Sequence, residues 1–227
     1  MRTGLIGLGP DTGAPDLIGV GLIRLAVEDR LAPPAGPGAP WLGQLRAASF
    51  ADAWLSFADP AAPGLRVPAE AVLQAVVRRT AELVLRRHDG DVPAALERLG
   101  RESAEAREWA RLTEASHPAE PHAHVLVWHG VRAAAAGSGP AGPAERAAHA
   151  AGVVDRCRAY VREHCRRQDL LALVLACAGS AAAALADLSG DDRERALADL
   201  DAHAARHMAP TAPVPLWVPG RPGGLAV

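Results

Sequence analysis

Clusters of proline and glycine interrupt this chain at short intervals and constrain its fold more than any other feature of the sequence. Proline inside a helix removes a backbone hydrogen bond and clashes with the preceding turn, and it is equally rare in central strands. No helix or central strand is therefore expected to run through a cluster. The clusters lie at residues 32–40, 58–68, 116–121, 137–143 and 209–224.

The segments between these clusters have the apolar spacing of helices. The clearest is 68–88, where Val72, Val76 and Leu83 share one face and charged residues lie largely off it. Short β-branched runs fall inside helical patterns, and no Asx-Gly turn joins two alternating segments. Helices are predicted at residues 16–31, 41–57, 68–88, 92–114, 121–136, 143–167, 169–188 and 191–208.

The sequence thus predicts an all-α, single-domain bundle of about eight helices over residues 1–208, with Pro/Gly-rich connections. Residues 209–227 hold five prolines and three glycines, which predicts an extended tail that Trp217 anchors to the body or to a partner. Asp91 is the expected N-cap of the helix 92–114. This helix is expected to be mostly solvated, with Trp109 and Leu112 anchoring it.

Two missing residue types exclude whole mechanisms. The chain has no lysine and no asparagine, so all 24 cationic side chains are arginine, a bias typical of a GC-rich bacterial genome. Without lysine there is no Schiff base to pyridoxal phosphate and no P-loop nucleotide site. The glycines Gly7 and Gly9 lack a preceding strand and a following βα alternation, so no Rossmann dinucleotide site is expected. The cofactor, if there is one, stays unknown.

The cysteines and the amino-terminal residues are informative about the cellular compartment in which the protein is expected. Cys157 and Cys165 are eight residues apart on one predicted helix, about 12 Å at ~1.5 Å per residue, which is too far for a disulfide. Together with Cys177 they are interpreted as reduced thiols, and residues 1–16 lack the apolar region of a secretory signal. The protein is predicted to be cytoplasmic.

One segment, Leu170–Leu188, is long and apolar enough to be considered as a membrane span, which would contradict a cytoplasmic location. Much of it is alanine, so its transfer into a bilayer would be weakly favourable, and we interpret it as a buried central helix. No membrane partner is expected. Arginine patches such as Arg78-Arg79 are interleaved with acidic residues and the net charge is -2, so no nucleic-acid partner is expected either.

Ionisable residues at the edges of apolar helix faces are the candidates for a site. On the predicted helix 143–167 these are Arg156, Tyr160 and His164, and on 191–208 they are His203 and His207. Histidine transfers protons near neutral pH, and arginine orients anions. The first hypothesis is a protein that holds a small organic molecule between its later helices, with these five residues as acid-base or orienting groups of a tailoring enzyme.

Two alternatives remain open. In the first, the chain is a non-catalytic interaction or regulatory protein whose arginine patches and tail dock a partner, and homodimerisation is also left open. In the second, His129, His203 and His207 hold a metal ion or a haem. The spacing of His203 and His207 lacks the glutamate of a zincin motif, so these three are weak metal candidates. Neither the substrate nor enzymatic activity follows from the sequence.

Overall fold

A computed structural model describes residues 14–32, 69–113, 119–136, 142–164 and 169–207. Within these ranges every regular element is an α-helix, which confirms the all-α class. The predicted helix 41–57 and the predicted tail 209–227 lie outside the described residues. The seven helices are α1 (Ala14–Arg30), α2 (Ala69–Arg87), α3 (Val92–Leu112), α4 (Ala119–Ala135), α5 (Gly142–His164), α6 (Asp169–Ser189) and α7 (Arg193–His207).

Helix α6 lies at the centre of the bundle and packs against α1, α2, α4 and α7. Its inward side chains are small, with Leu173, Cys177 and Leu185 fully buried among alanines. It is the one helix in the described ranges long and apolar enough to cross a membrane by length and composition, and half of that stretch is buried within the bundle. Burying a Leu or Val completely contributes roughly 1.5–3 kcal/mol, so this helix supplies much of the core.

The predicted apolar stripe of 68–88 is confirmed in α2. Val72, Val76 and Leu83 are each fully buried, and α2 packs against α1, α4 and α6. Close approach to α4 depends on Gly130, because a Cβ there would lie 3.0 Å from the Ala81 Cβ. The small residues therefore set the spacing of the central helices.

The connection between α2 and α3 is a tight turn with left-handed backbone. Asp89 and Gly90 have φ values of 53° and 82°, a conformation that glycine adopts at little cost. Asp91 then caps α3 as predicted, since its side chain accepts a hydrogen bond of 3.0 Å from the backbone N–H of Ala94. Pro93 lies in the first helical turn, where its missing N–H costs nothing.

The prediction that Trp109 and Leu112 anchor α3 is wrong. Both are exposed, Trp109 at 65% of its surface, and the side chains that bury are Ala95, Leu99 and Ala106, together with Ser103. Helix α3 packs mainly on α4. The anchoring face therefore follows these four residues, which are spaced three or four positions apart, and excludes Trp109 and Leu112.

Candidate functional site

The structure places the five predicted catalytic residues in two separate regions. Arg156, Tyr160 and His164 are on α5, with the side chain of His164 outside the described residues. His203 and His207 are on α7, which does not pack against α5 over any appreciable length. The described residues therefore do not form one cavity that gathers all of the predicted groups.

His203 belongs to a polar seam between α7 and α2. Its ring is 6% exposed, and its Nδ1 accepts a hydrogen bond of 2.8 Å from the Arg206 guanidinium. A neutral His203 then carries its proton on Nε2. Burial, followed by the nearby Arg79 guanidinium, lowers the pKa of His203 to about 4, against the opposing effect of Glu82. This imidazole is held as a neutral acceptor.

The rest of the seam consists of ion pairs. Arg79, which is buried, pairs with Asp199 and with Glu82, and Arg86 reaches the other Asp199 oxygen at 2.7 Å. His207 stacks at a tilt on His203, with ring centroids 4.7 Å apart, and its Nδ1 lies 3.9 Å from an Asp16 oxygen. These contacts tie α7 to α1 and α2. Such mutually satisfied charges are typical of a structural network.

His129 lies between α4 and α5 with a different partner. Its Nδ1 is 3.3 Å from the Nδ1 of His149, and its ring meets Trp128 edge-on at 5.1 Å between centroids. Burial, His149 and Arg156 all lower the pKa of His129. Among the described residues there is no group of three or more His, Cys, Asp or Glu side chains that could hold a metal ion.

The thiols offer no reactive group in the described ranges. Cys157 and Cys177 are both free and buried. Burial raises the pKa of Cys157 to about 12 and raises that of Cys177 further, so both are protonated at neutral pH and poor nucleophiles. Cys165 lies outside the described residues.

Tyr160 is fully buried, and its ring contacts His122 of α4 edge-on, with ring centroids 5.0 Å apart. This contact fixes one side of the His122 ring. The other predicted residue of this region, Arg156, is one turn earlier on α5 and is half-buried. Tyr160 is therefore suited to positioning His122 rather than to direct contact with a ligand.

A cleft of about 360 Å³ opens beside this contact, between α3, α4 and α5. We call it the arginine cleft. Its polar groups come from three helices, and the wall between them is apolar. The residues that line it are Arg107, Ala110, Arg111, Pro121, His122, Val125 and Arg156.

The arginines of this cleft differ in how their charge is balanced. Arg111 donates two hydrogen bonds to Glu108, at 2.6 and 3.0 Å, so its charge is paired. Arg107 donates to the backbone oxygen and the hydroxyl of Ser103, at 3.1 and 3.0 Å, and both acceptors are neutral. Arg156 has no carboxylate partner in the part of the chain that the structure describes. Two positive charges of the cleft are thus uncompensated there.

Of the residues that line this cleft, the sequence predicts Arg156 as a candidate and predicts no role for Arg107 or His122. Arg107 lies on the helix 92–114, which the sequence predicts to be mostly solvated. The sequence pattern that could have identified Arg107 is its spacing from Arg111, because two residues four positions apart lie on one side of α3. This spacing does not predict which neighbouring helix lies opposite them.

A second depression, the Trp109 groove, lies between α3 and α6 and measures about 510 Å³. Trp109 and Leu175 form part of its rim and are both exposed, while Glu105 and Glu120 add carboxylates on the α3 and α4 side. His124 lines the same groove, and burial lowers its pKa against the effect of Glu102. The described part of the chain leaves this groove open.

Comparison of the chain with protein-family models, with curated proteins and with solved structures gives no match. The function has to be argued from the chain's own geometry.

Proposed function

We propose that this protein binds a small organic anion in the arginine cleft. The observation that carries the proposal is that two guanidinium groups without carboxylate partners among the described residues, Arg107 and Arg156, face one cavity from different helices. An arginine on an open surface gains little from such an arrangement. Two that converge on a concave site are typical of anion recognition, because the guanidinium fork matches carboxylate and phosphate oxygens.

The apolar wall of the cleft supports an organic ligand over an inorganic ion. Ala110, Pro121 and Val125 lie between the cationic groups, so a ligand's hydrocarbon body can be buried beside its charged end. The volume of about 360 Å³ is at the lower end of the range for small-molecule sites, ~300–1,000 Å³. The proposed ligand therefore has about one ring attached to an anionic group.

The proposal covers binding and assigns no catalytic step. His203 and His207, two of the predicted acid-base residues, lie in the seam with α2 and α1, away from the cleft. His122 lines the cleft, and its ring packs edge-on against Tyr160.

The test is isothermal titration calorimetry of the full chain with phenyl phosphate, phthalate and benzoate at low salt. We expect saturable one-to-one binding of at least one of these anions, weakening as salt is added because the charges are partly exposed. Arg156→Gln should weaken binding at least tenfold, since a hydrogen bond to a charged group is worth about 1.5–3 kcal/mol.

Arg101→Gln is the matched control. Arg101 is an exposed arginine of α3 that pairs with Glu97 at 3.0 Å and does not line the cleft. Its replacement should leave the affinity unchanged. The proposal is wrong if none of the three anions binds saturably, or if Arg101→Gln weakens binding as much as Arg156→Gln.

The Trp109 groove favours a second candidate function, the docking of a partner protein. A tryptophan at 65% exposure beside an open groove is unusual on a surface that contacts only water. Trp109→Ala should leave the free energy of unfolding within about 0.5 kcal/mol of the wild-type value, because the indole is exposed. Loss of self-association or of partner binding in this variant, with anion binding intact, would support the second function.

A further inference from the structure

We propose that the anion held in the arginine cleft is the dianionic headgroup of a phosphate monoester. This inference rests on the proposed function and adds the chemical class of the ligand. The charge of the cleft, the directions of its guanidinium donors and its apolar wall all bear on that class.

The charge of the cleft favours a dianion over a monoanion. Arg111 is neutralised by Glu108, which leaves the charges of Arg107 and Arg156 for the ligand. A phosphate monoester carries a charge of about -1.5 to -2 at pH 7, which balances two guanidinium groups. A benzoate-like monoanion would leave one positive charge uncompensated.

The directions of the donors favour phosphate over carboxylate. Arg107 comes from α3 and Arg156 from α5, so two guanidinium groups line the cavity from different helices. Two guanidinium groups must share the two oxygens of a carboxylate, whereas the three terminal oxygens of a phosphate monoester give them separate acceptors.

One of these donors, Arg107, is held in place by contacts inside the protein. Arg107 donates through Nε and Nη2 to Ser103, which leaves the other N–H groups of its five-donor fork for a ligand. Such preorganisation reduces the entropy that binding costs and suits a site that recognises a defined headgroup.

The organic group of the ester can occupy the apolar part of the cleft. Ala110, Pro121 and Val125 form the apolar part of the cleft, so a carbon body attached through the fourth phosphate oxygen can pack there. The inferred ligand is an organic phosphate monoester with a compact apolar or aromatic body.

The experiment compares two ligands with the same ring and different charge, phenyl phosphate and its methyl ester, methyl phenyl phosphate, by calorimetry at pH 8. The second phosphate pKa is about 6, so phenyl phosphate is a dianion at pH 8 while the methyl ester is a monoanion. We expect phenyl phosphate to bind at least tenfold more tightly. The difference should shrink at pH 5.5, where the second proton returns to the phosphate.

Single-residue variants separate a loss of charge recognition from a loss of folded structure. Arg107→Gln and Arg156→Gln should each reduce the preference for phenyl phosphate over the methyl ester by at least threefold, while Arg101→Gln keeps the preference. Circular dichroism and thermal unfolding of each variant establish that it is folded before its affinities are compared.

The outcomes distinguish this inference from the proposed function. Equal affinity for phenyl phosphate and methyl phenyl phosphate, or tighter binding of benzoate than of phenyl phosphate, overturns the phosphate assignment and leaves anion binding in place. Failure of phenyl phosphate, phthalate and benzoate alike overturns both.

Discussion

At the scale of single residues, burial decides the role of the groups that the sequence singles out. Tyr160 is the one tyrosine of the chain and was a candidate acid-base group, yet its ring is fully buried against His122. A sequence pattern places it on the edge of an apolar face and cannot say how far the neighbouring helix covers that edge. Its depth makes it a core residue that also positions the cleft.

Removal of this ring should be costly. Tyr160→Ala leaves a cavity behind His122, and large-to-small replacements of buried aromatic side chains cost about 3–5 kcal/mol. Tyr160→Phe keeps the ring and should lose no more than about 1 kcal/mol, the net worth of one hydrogen bond. Urea denaturation of both variants measures the difference. Equal losses for the two would contradict a packing role for the ring.

His203 should make stability depend on pH. Its pKa is about 4 in the folded chain, lowered by burial and Arg79, and ~6.5 in the unfolded chain. Between these values the unfolded state binds more protons, so the free energy of unfolding should fall as the pH drops from ~6.5 to ~4. Solvent screening limits the loss to on the order of 1–2 kcal/mol.

The comparison that isolates this effect is His203→Gln. The glutamine variant should show a shallower decline of the free energy of unfolding between pH 6.5 and 4 than the wild-type chain, by urea denaturation at a series of pH values. Parallel curves for the two proteins would show that His203 does not contribute this dependence. A steeper decline in the variant would reverse the assigned sign.

At the scale of helices, the sequence predicts where a helix forms better than it predicts which other helices that helix contacts. The ends of α3 follow from Asp91, Pro93 and the downstream proline cluster, which are local chemistry, and its N-cap is confirmed. The partner of each face is not local. The sequence predicts Trp109 and Leu112 as the anchoring residues of α3, whereas the buried stripe runs through residues nearer its N-terminus, such as Leu99 and Ala106.

The residues of the candidate site also differ in whether the sequence of a single helix can identify them. Arg156 could be identified because it borders an apolar face of α5, and this is visible in the spacing of one helix. Arg107 faces the cleft only because α3 and α5 flank α4, a consequence of the packing of three helices. His129 and His203 lie on α4 and α7, which do not pack against each other over any appreciable length, and the spacing within one helix does not show this.

The interface between α4 and α5 has a specific steric limit at Gly152. A Cβ at this position would lie 2.6 Å from Cε1 of His129, whose ring is already confined by Trp128 and His149. Gly152→Ala should therefore lower the free energy of unfolding by about 1–3 kcal/mol, the usual cost of overpacking. Chemical denaturation measures it.

Two further variants test the cause. In a His129→Ala background the clash is absent, so Gly152→Ala should then be neutral or stabilising. Gly100→Ala, in the middle of α3 with open space around it, should stabilise by about 0.5–1 kcal/mol through helix propensity alone. If Gly152→Ala is as favourable as Gly100→Ala, the close packing of α4 on α5 is wrong.

At the scale of the whole molecule, the described bundle has an apolar centre and, beside it, the region of the proposed anion site. Helix α6 and its neighbours α1, α2, α4 and α7 form the apolar centre, closed on one side by the ion pairs of Arg79 and Asp199. Helices α3, α4 and α5 carry the arginine cleft on their common side. The paired charges connect the helices, and in the proposed function the ligand binds Arg107 and Arg156, which lack carboxylate partners among the described residues.

The central claim, that Arg107 and Arg156 hold an anion together, is tested most directly by following the side-chain Nε–H signals of the arginines by NMR. Phenyl phosphate is added stepwise to the 15N-labelled full chain at pH 7. Arginines elsewhere on the surface, such as Arg24 and Arg98, pair with carboxylates and serve as internal controls. We predict that the Arg107 and Arg156 signals shift together and saturate as expected for a single binding site. The control signals should not shift. Shifts spread evenly over the exposed arginines, or absent from these two, would contradict the account.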